Sequence, residues 1–172
     1  MHVRGSNLVL IGLPGAGKST LGVLVAKRLA LGFIDTDLVV QSRAGRRLQE
    51  ILDVDGAATF RGLEEETVLA LRPSRSVIAT GGSVVYGDRA MQHLRDAGRI
   101  LYLFLSLDAW HERLRDFGDR GVVRAPGQSF ESLYHEREPL YRRWADLVVD
   151  TGGLDHEQAV EQIVGRVLSS EF

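Results

Sequence analysis

Short runs of aliphatic and β-branched residues alternate along the chain with longer stretches in which apolar positions recur every three or four residues. The runs read as strands and the stretches as helices, and their alternation predicts an α/β fold with a parallel sheet covered by helices. Five runs are strand candidates: residues 8–11, 33–34, 77–80, 100–105 and 147–149. They are continuously apolar rather than alternating, as expected of strands covered on both faces. Leu21, Leu24, Val25 and Leu29 mark one amphipathic helix, and Leu63, Thr67, Leu69 and Leu71 a looser one. Val160, Ile163, Val164 and Val167 mark the last, which opens at Asp155 with Gln158 three residues on, a pattern that predicts reciprocal capping.

Residues 116–127 break this regularity with three glycines, a proline and charges of both signs. Helical patterns flank them at 107–114 and 130–141, so they are expected to form a lid over the strand ends; an ordinary surface connection is the alternative reading. With 172 residues and 44% hydrophobic content, residues 1–172 are expected to form one domain whose core needs no disulfide or metal staple. The absence of cysteine excludes a thiolate zinc site and a cysteine nucleophile, leaving carboxylates, lysines, arginines and histidines for chemistry. A formal charge of -2 and a pI near 6.2 offer no basic field to a nucleic acid, so small-molecule substrates are expected instead. No apolar run approaches the roughly 18 residues of a membrane span, and residues 1–6 lack an apolar signal core. A cytoplasmic monomer without a membrane partner is expected.

Gly12-Leu13-Pro14-Gly15-Ala16-Gly17-Lys18-Ser19 matches G-x-x-x-x-G-K-[ST] in full, directly after the first strand candidate and at the start of an amphipathic helix. Glycines let successive backbone N–H groups face a phosphate, and the helix N-terminus adds partial positive charge. Lys18 is expected to reach the β- and γ-phosphates of a nucleotide, and Ser19 to offer a hydroxyl to Mg²⁺. Gly12, Gly15, Ala16, Gly17, Lys18, Ser19 and Thr20 are the candidate nucleotide-binding residues of this segment. A kinase, a hydrolase and a nucleotide-driven switch all share such a cradle. The chain has no Asn-Lys-x-Asp stretch, which a guanine-reading switch would need.

Asp35 and Asp37 stand two residues apart after the second strand candidate, where ligands bind at the edge of a parallel sheet. Asp35 suits the hydration shell of Mg²⁺ and Asp37 suits a base for an attacking hydroxyl, although an acid before Leu38-Val39-Val40 can equally be a helix N-cap. Phe60-Arg61-Gly62-Leu63-Glu64 supplies an arginine able to clamp a carboxylate, with Glu64 three residues on expected to hold its guanidinium. Thr80-Gly81-Gly82-Ser83 ends the third strand candidate with glycines that let a ligand approach the backbone closely.

In this order, and over nearly its whole length, the chain resembles the shikimate kinase family. The resemblance rests on the phosphate loop, Asp35-Thr36-Asp37, Phe60 to Glu64, Gly81-Gly82-Ser83, Arg120 in the lid, and Arg137-Glu138-Pro139-Leu140-Tyr141, with Ala145-Asp146 before the last strand. It implies a P-loop NTPase fold like that of nucleoside-monophosphate kinases, a five-stranded parallel sheet in a three-layer sandwich with a lid. The implied activity is transfer of the γ-phosphoryl group of ATP to a hydroxyl of shikimate in aromatic amino-acid biosynthesis. Asp37, Arg61, Gly81, Gly82 and Arg137 would then bind the acceptor, with Asp37 as base, and Lys18 and Arg120 would stabilise the transferring group. Arg113 would stack on the adenine, and Ser19 and Asp35 would organise Mg²⁺. Two positions depart from the family pattern: its third glycine is Ser83, and its Arg-Pro-Leu-Leu lid is Arg120-Gly121-Val122-Val123. A relative acting on another small hydroxy acid and a non-catalytic ATP-binding homologue are the alternatives. Trp110 and Trp144 read as packing residues, the five histidines as solvated or lightly bonded side chains, and Arg142 and Arg143 as an exposed helix face.

Overall fold

The computed structural model describes residues 7–117 and 122–169. Five strands, β1 (Asn7–Ile11), β2 (Gly32–Asp35), β3 (Ser76–Ala79), β4 (Gly98–Phe104) and β5 (Leu147–Asp150), pair in parallel in the order β2-β3-β1-β4-β5. They are the five apolar runs, each displaced by no more than two residues at an end. Every residue of β1 is buried, because neighbouring strands lie on both sides and helices cover both faces. The chain leaves β1 for β2 and β3 on one side and later fills β4 and β5 on the other. The carboxyl end of β1 is therefore the switch point at which a crevice opens.

Helices α1 (Lys18–Leu29), α4 (Asp88–Ala97), α5 (Leu107–Phe117), α6 (Phe130–Trp144) and α7 (His156–Ser169) pack the main core with the sheet. In α1 the buried stripe is Leu21, Gly22, Val25 and Ala26, and the expected core residue Leu24 is more than a third exposed. Gly22 lies so close to the Phe33 ring that a Cβ there would stand 2.8 Å from it, so α1 sits on the sheet by its glycine rather than by Leu24. The capping of α7 is as expected: Asp155 Oδ1 accepts from Gln158 N at 2.8 Å, and Gln158 Oε1 accepts from Asp155 N at 3.1 Å.

Helices α2 (Thr36–Ala44) and α3 (Leu48–Ala70), the latter broken at Gly56, rise beside the β2 edge around an apolar cluster of Val40, Ile51, Phe60 and Val123. The inner stripe of α3 differs from the expected leucines. It is Phe60, Glu64, Thr67 and Val68, so an acid lies on the buried face. Of the expected lid, residues 118–121, Arg120 among them, lie outside the described residues. Val123, which follows them, is buried against α2 and α3. No described helix is long and apolar enough to cross a membrane.

Candidate functional site

The loop between β1 and α1 curls around Gly15 and Gly17, both at positive φ; Gly17, at φ 90°, is the residue that caps α1. An L side chain is disfavoured at that backbone angle, which is why the motif spends a glycine there. Lys18 is 7% exposed, and its ammonium donates to the carbonyls of Gly12 and Leu13 at 2.8 Å each. Burial lowers its pKa to about 8, with nearby Asp37, Asp35 and Glu64 pulling the other way. Trp110, read from sequence as packing, is fully buried and also donates its indole N–H to the Pro14 carbonyl at 2.7 Å, tying α5 to the loop.

The two acids after β2 have separate tasks. Asp35 is the N-cap of α2, its Oδ1 accepting from the backbone N–H groups of Asp37 at 3.0 Å and Leu38 at 3.4 Å. Its Oδ2 accepts from Ser19 Oγ at 2.5 Å. The capping role weighed for Asp37 thus falls on Asp35, and Asp37 is freed to turn inward. Asp37 Oδ1 is buried without a hydrogen-bond partner, and burial together with the neighbouring Asp35 charge raises its pKa to about 6. Ser19 and Asp35 put two oxygens side by side at the loop. Among the described residues no group of three or more His, Cys, Asp or Glu could hold a metal. Two hard oxygen donors, with phosphates and water to complete the shell, fit Mg²⁺, which dehydrates reluctantly and rarely takes an all-protein cage.

A cleft of about 310 Å³ is lined by Gly15, Lys18, Thr20, Asp37, Gly82 and Arg113 among others, and His156, exposed as expected, also reaches it. Arg113 stands at the α5 wall, its Nη2 donating to the Thr151 carbonyl at 3.3 Å. Beyond Asp37 a chamber of about 20 Å³ shares Pro14, Asp37, Leu48 and Gly82 with the cleft and adds Glu64, Arg137 and Val123. Gly81 and Gly82 form its rim. A Cβ on Gly81 would collide with Glu64 Oε1, and one on Gly82 would stand 2.9 Å from Pro14 and 3.3 Å from Arg137 Nη1. The rim is pinned from below, since Tyr141 donates its hydroxyl to the Gly82 carbonyl at 2.6 Å.

Arg137 is wholly buried. Its Nε donates to the Tyr86 hydroxyl at 3.2 Å and its Nη2 to the Val123 carbonyl, while Nη1 is buried without a partner. Arg61 is exposed and lies 4.3 Å from the centre of the Tyr86 ring. Glu64 does not make the expected hydrogen bond to Arg61, because its side chain points into the core while Arg61 points out. Instead Ser83 donates its hydroxyl to Glu64 Oε2 at 2.6 Å. Ser83 sits at φ -91°, so replacing a glycine here costs no backbone strain. Tyr86 belongs to none of the motifs, and nothing in the sequence around it points to the site.

Glu64 is 2% exposed, and burial raises its pKa to about 7, against the opposing bond from Ser83. The folded protein then holds this proton more tightly than the unfolded chain, so stability is lost as pH rises from about 4.5 to about 7. Asp37, Arg137 and Arg61 face the same group. Relative to Glu64→Gln, the wild-type Tm is expected to fall across that window; parallel Tm curves would show that Glu64 is charged throughout.

The shikimate kinase family model matches residues 14–168. The chain is 39% identical to the shikimate kinase of Thermodesulfovibrio yellowstonii over 161 residues, 92% of each chain. It is 40% identical to that of Pseudomonas paraeruginosa over 164 residues, covering 94% of this chain and 95% of the relative. Among solved structures, the shikimate kinase of Acinetobacter baumannii in complex with shikimate superposes with a TM-score of 0.84 at 25% identity, covering 98% of this chain and 95% of that one. The shikimate kinase of Aquifex aeolicus gives 0.79 at 29% identity, with 95% and 96% covered. By family model, sequence and fold alike, the chain belongs to the shikimate kinase family.

Proposed function

We propose that this protein is an ATP-dependent kinase that phosphorylates a hydroxyl of shikimate, a hydroxylated ring carboxylic acid. The observation that carries the reading is the chamber beside the phosphate loop. It places an unpartnered, buried guanidinium nitrogen of Arg137 and an unpartnered carboxylate oxygen of Asp37 on one small space opening to Lys18. A cation for the acceptor's carboxylate and a base for its hydroxyl are what a hydroxy-acid kinase requires. The chamber is too small for a six-membered ring as it stands, so acceptor binding displaces the Val123 carbonyl from Arg137 and moves the 122–123 backbone outward. The acceptor carboxylate then takes the position of that carbonyl.

In this reading the loop from Gly12 to Thr20 holds the triphosphate, and Arg113 lies against the adenine. The phosphates draw Lys18 away from the Gly12 and Leu13 carbonyls. Ser19 and Asp35 would hold Mg²⁺, which when bound neutralises charge on the β- and γ-oxygens. Asp37 accepts the proton of the attacking hydroxyl as the new P–O bond forms and the bond to the β-phosphate oxygen breaks, releasing ADP. Arg120 completes the charge around the transferring group by resemblance alone. The Ser83 hydroxyl is spent on Glu64, which supports shikimate over a different hydroxy acid as the acceptor, since it is not held out as an added donor. A cytoplasmic monomer is part of the same reading, the site being built from one chain.

ADP release from Mg-ATP is expected to depend on shikimate. Arg61→Ala and Arg137→Ala are each expected to raise the KM for shikimate about tenfold to a hundredfold, the scale of a charged hydrogen bond, with the KM for ATP unchanged. Shikimate-independent ADP release, or unchanged shikimate KM in both variants, would refute the assignment.

A further inference from the structure

We propose that Tyr86 is the positioning residue for the two arginines that receive the acceptor's carboxylate, an inference that rests on the acceptor site described above. The ring of Tyr86 carries both cations, with the Arg61 guanidinium 4.3 Å and the Arg137 guanidinium 5.3 Å from its centre. Two like charges held at one ring repel each other until an anion arrives, and the π electrons of the shared ring offset part of that repulsion.

The hydroxyl of Tyr86 does a second thing. It accepts from Arg137 Nε at 3.2 Å and donates to Glu136 Oε1, whose other oxygen accepts from Gln128 Nε2 at 2.8 Å. The bond from Tyr86 holds the Glu136 carboxyl below its usual range, so this acid stays an anion bonded to the tyrosine and the glutamine. With Nε fixed by the tyrosine, the plane of the Arg137 guanidinium is set, and its Nη edge faces Val123 and the Gly82 rim. Gln128 in turn accepts from Ala125 N at 3.1 Å through Oε1. The network therefore runs from the backbone at 125 through Gln128, Glu136 and Tyr86 to Arg137, and back to the Val123 carbonyl. Acceptor binding at Arg137 breaks the Val123 link while Tyr86 keeps the arginine aimed.

Tyr86→Phe removes the hydroxyl and keeps the ring; Tyr86→Leu removes both. Steady-state kinetics should show the KM for shikimate raised about threefold to tenfold in the first and about tenfold to thirtyfold in the second, with kcat and the KM for ATP within about twofold of wild type. In an Arg137→Ala background, adding Tyr86→Leu should raise the KM for shikimate by less than it does alone, because one of its two targets is gone. Fully additive effects, or a wild-type KM in both tyrosine variants while Arg137→Ala raises it, would overturn the positioning role and leave the carboxylate site standing. Parallel losses in kcat and both KM values would reduce Tyr86 to a folding residue. Normal shikimate KM in Arg61→Ala and Arg137→Ala would remove the acceptor site itself.

Discussion

Asp37→Asn is expected to lower kcat for shikimate phosphorylation by about two to four powers of ten, the range of a lost general base, with ATP affinity nearly unchanged. The amide keeps the shape and a hydrogen-bonding oxygen but cannot take the hydroxyl proton. The geometry argues for this side chain in particular because its neighbour is already occupied: Asp35 caps α2 through Oδ1 and accepts from Ser19 through Oδ2. Of the two acids after β2, Asp37 is the one that presents an unpartnered oxygen to the chamber, and burial raises its pKa to about 6. It is an anion above that value, so kcat/KM for shikimate in the wild type should fall as pH drops through about 6. Wild-type turnover in Asp37→Asn would exclude Asp37 as the base and leave proton transfer to water or the phosphate itself.

The strands and the phosphate loop were legible in the sequence because their physics is local. Continuous apolar runs such as residues 100–105 can only be comfortable inside a covered sheet, and a glycine-rich turn before Lys18 has few other uses. The site's polar interior was harder to read, since its pairings depend on which way a helix faces. Arg61 and Glu64 are three residues apart and invite an ion pair, yet the helix turns one out and the other in, and a serine from another segment donates to one oxygen of the acid while the other stays unpartnered. Asp35 and Asp37 look alike in sequence, and only the backbone at the start of α2 decides which of them caps. Tyr86 has no local signal at all, because both arginines that it touches are distant in the chain, 25 and 51 residues away by their numbering. Ser83 illustrates the converse. It breaks a family pattern, but its φ of -91° shows a position where glycine's freedom is not used.

Lys18→Met is expected to lower kcat by about two to three powers of ten, the scale of removing one preorganised charge from a phosphoryl-transfer site. It should also weaken ATP binding, whereas Asp37→Asn should not, and this contrast separates the two halves of the site. The folded protein holds the Lys18 ammonium against its own loop carbonyls, with its pKa lowered by burial to about 8. The unfolded chain keeps that proton up to about 10.5, so between about 8 and 10.5 the wild-type fold gains stability as the pH rises, and below about 8 it bears the full cost of a buried cation. Methionine fills a similar volume without charge, so the nucleotide-free variant should melt no lower than wild type at pH 7 even though it has lost activity. In the wild type, kcat/KM for ATP should decline above about pH 8 as the free enzyme loses this proton, and that limb should be missing from the residual activity of the variant. A marked drop in the Tm of Lys18→Met would assign the lysine a structural role. An alkaline limb surviving in Lys18→Met would transfer that ionisation to another group.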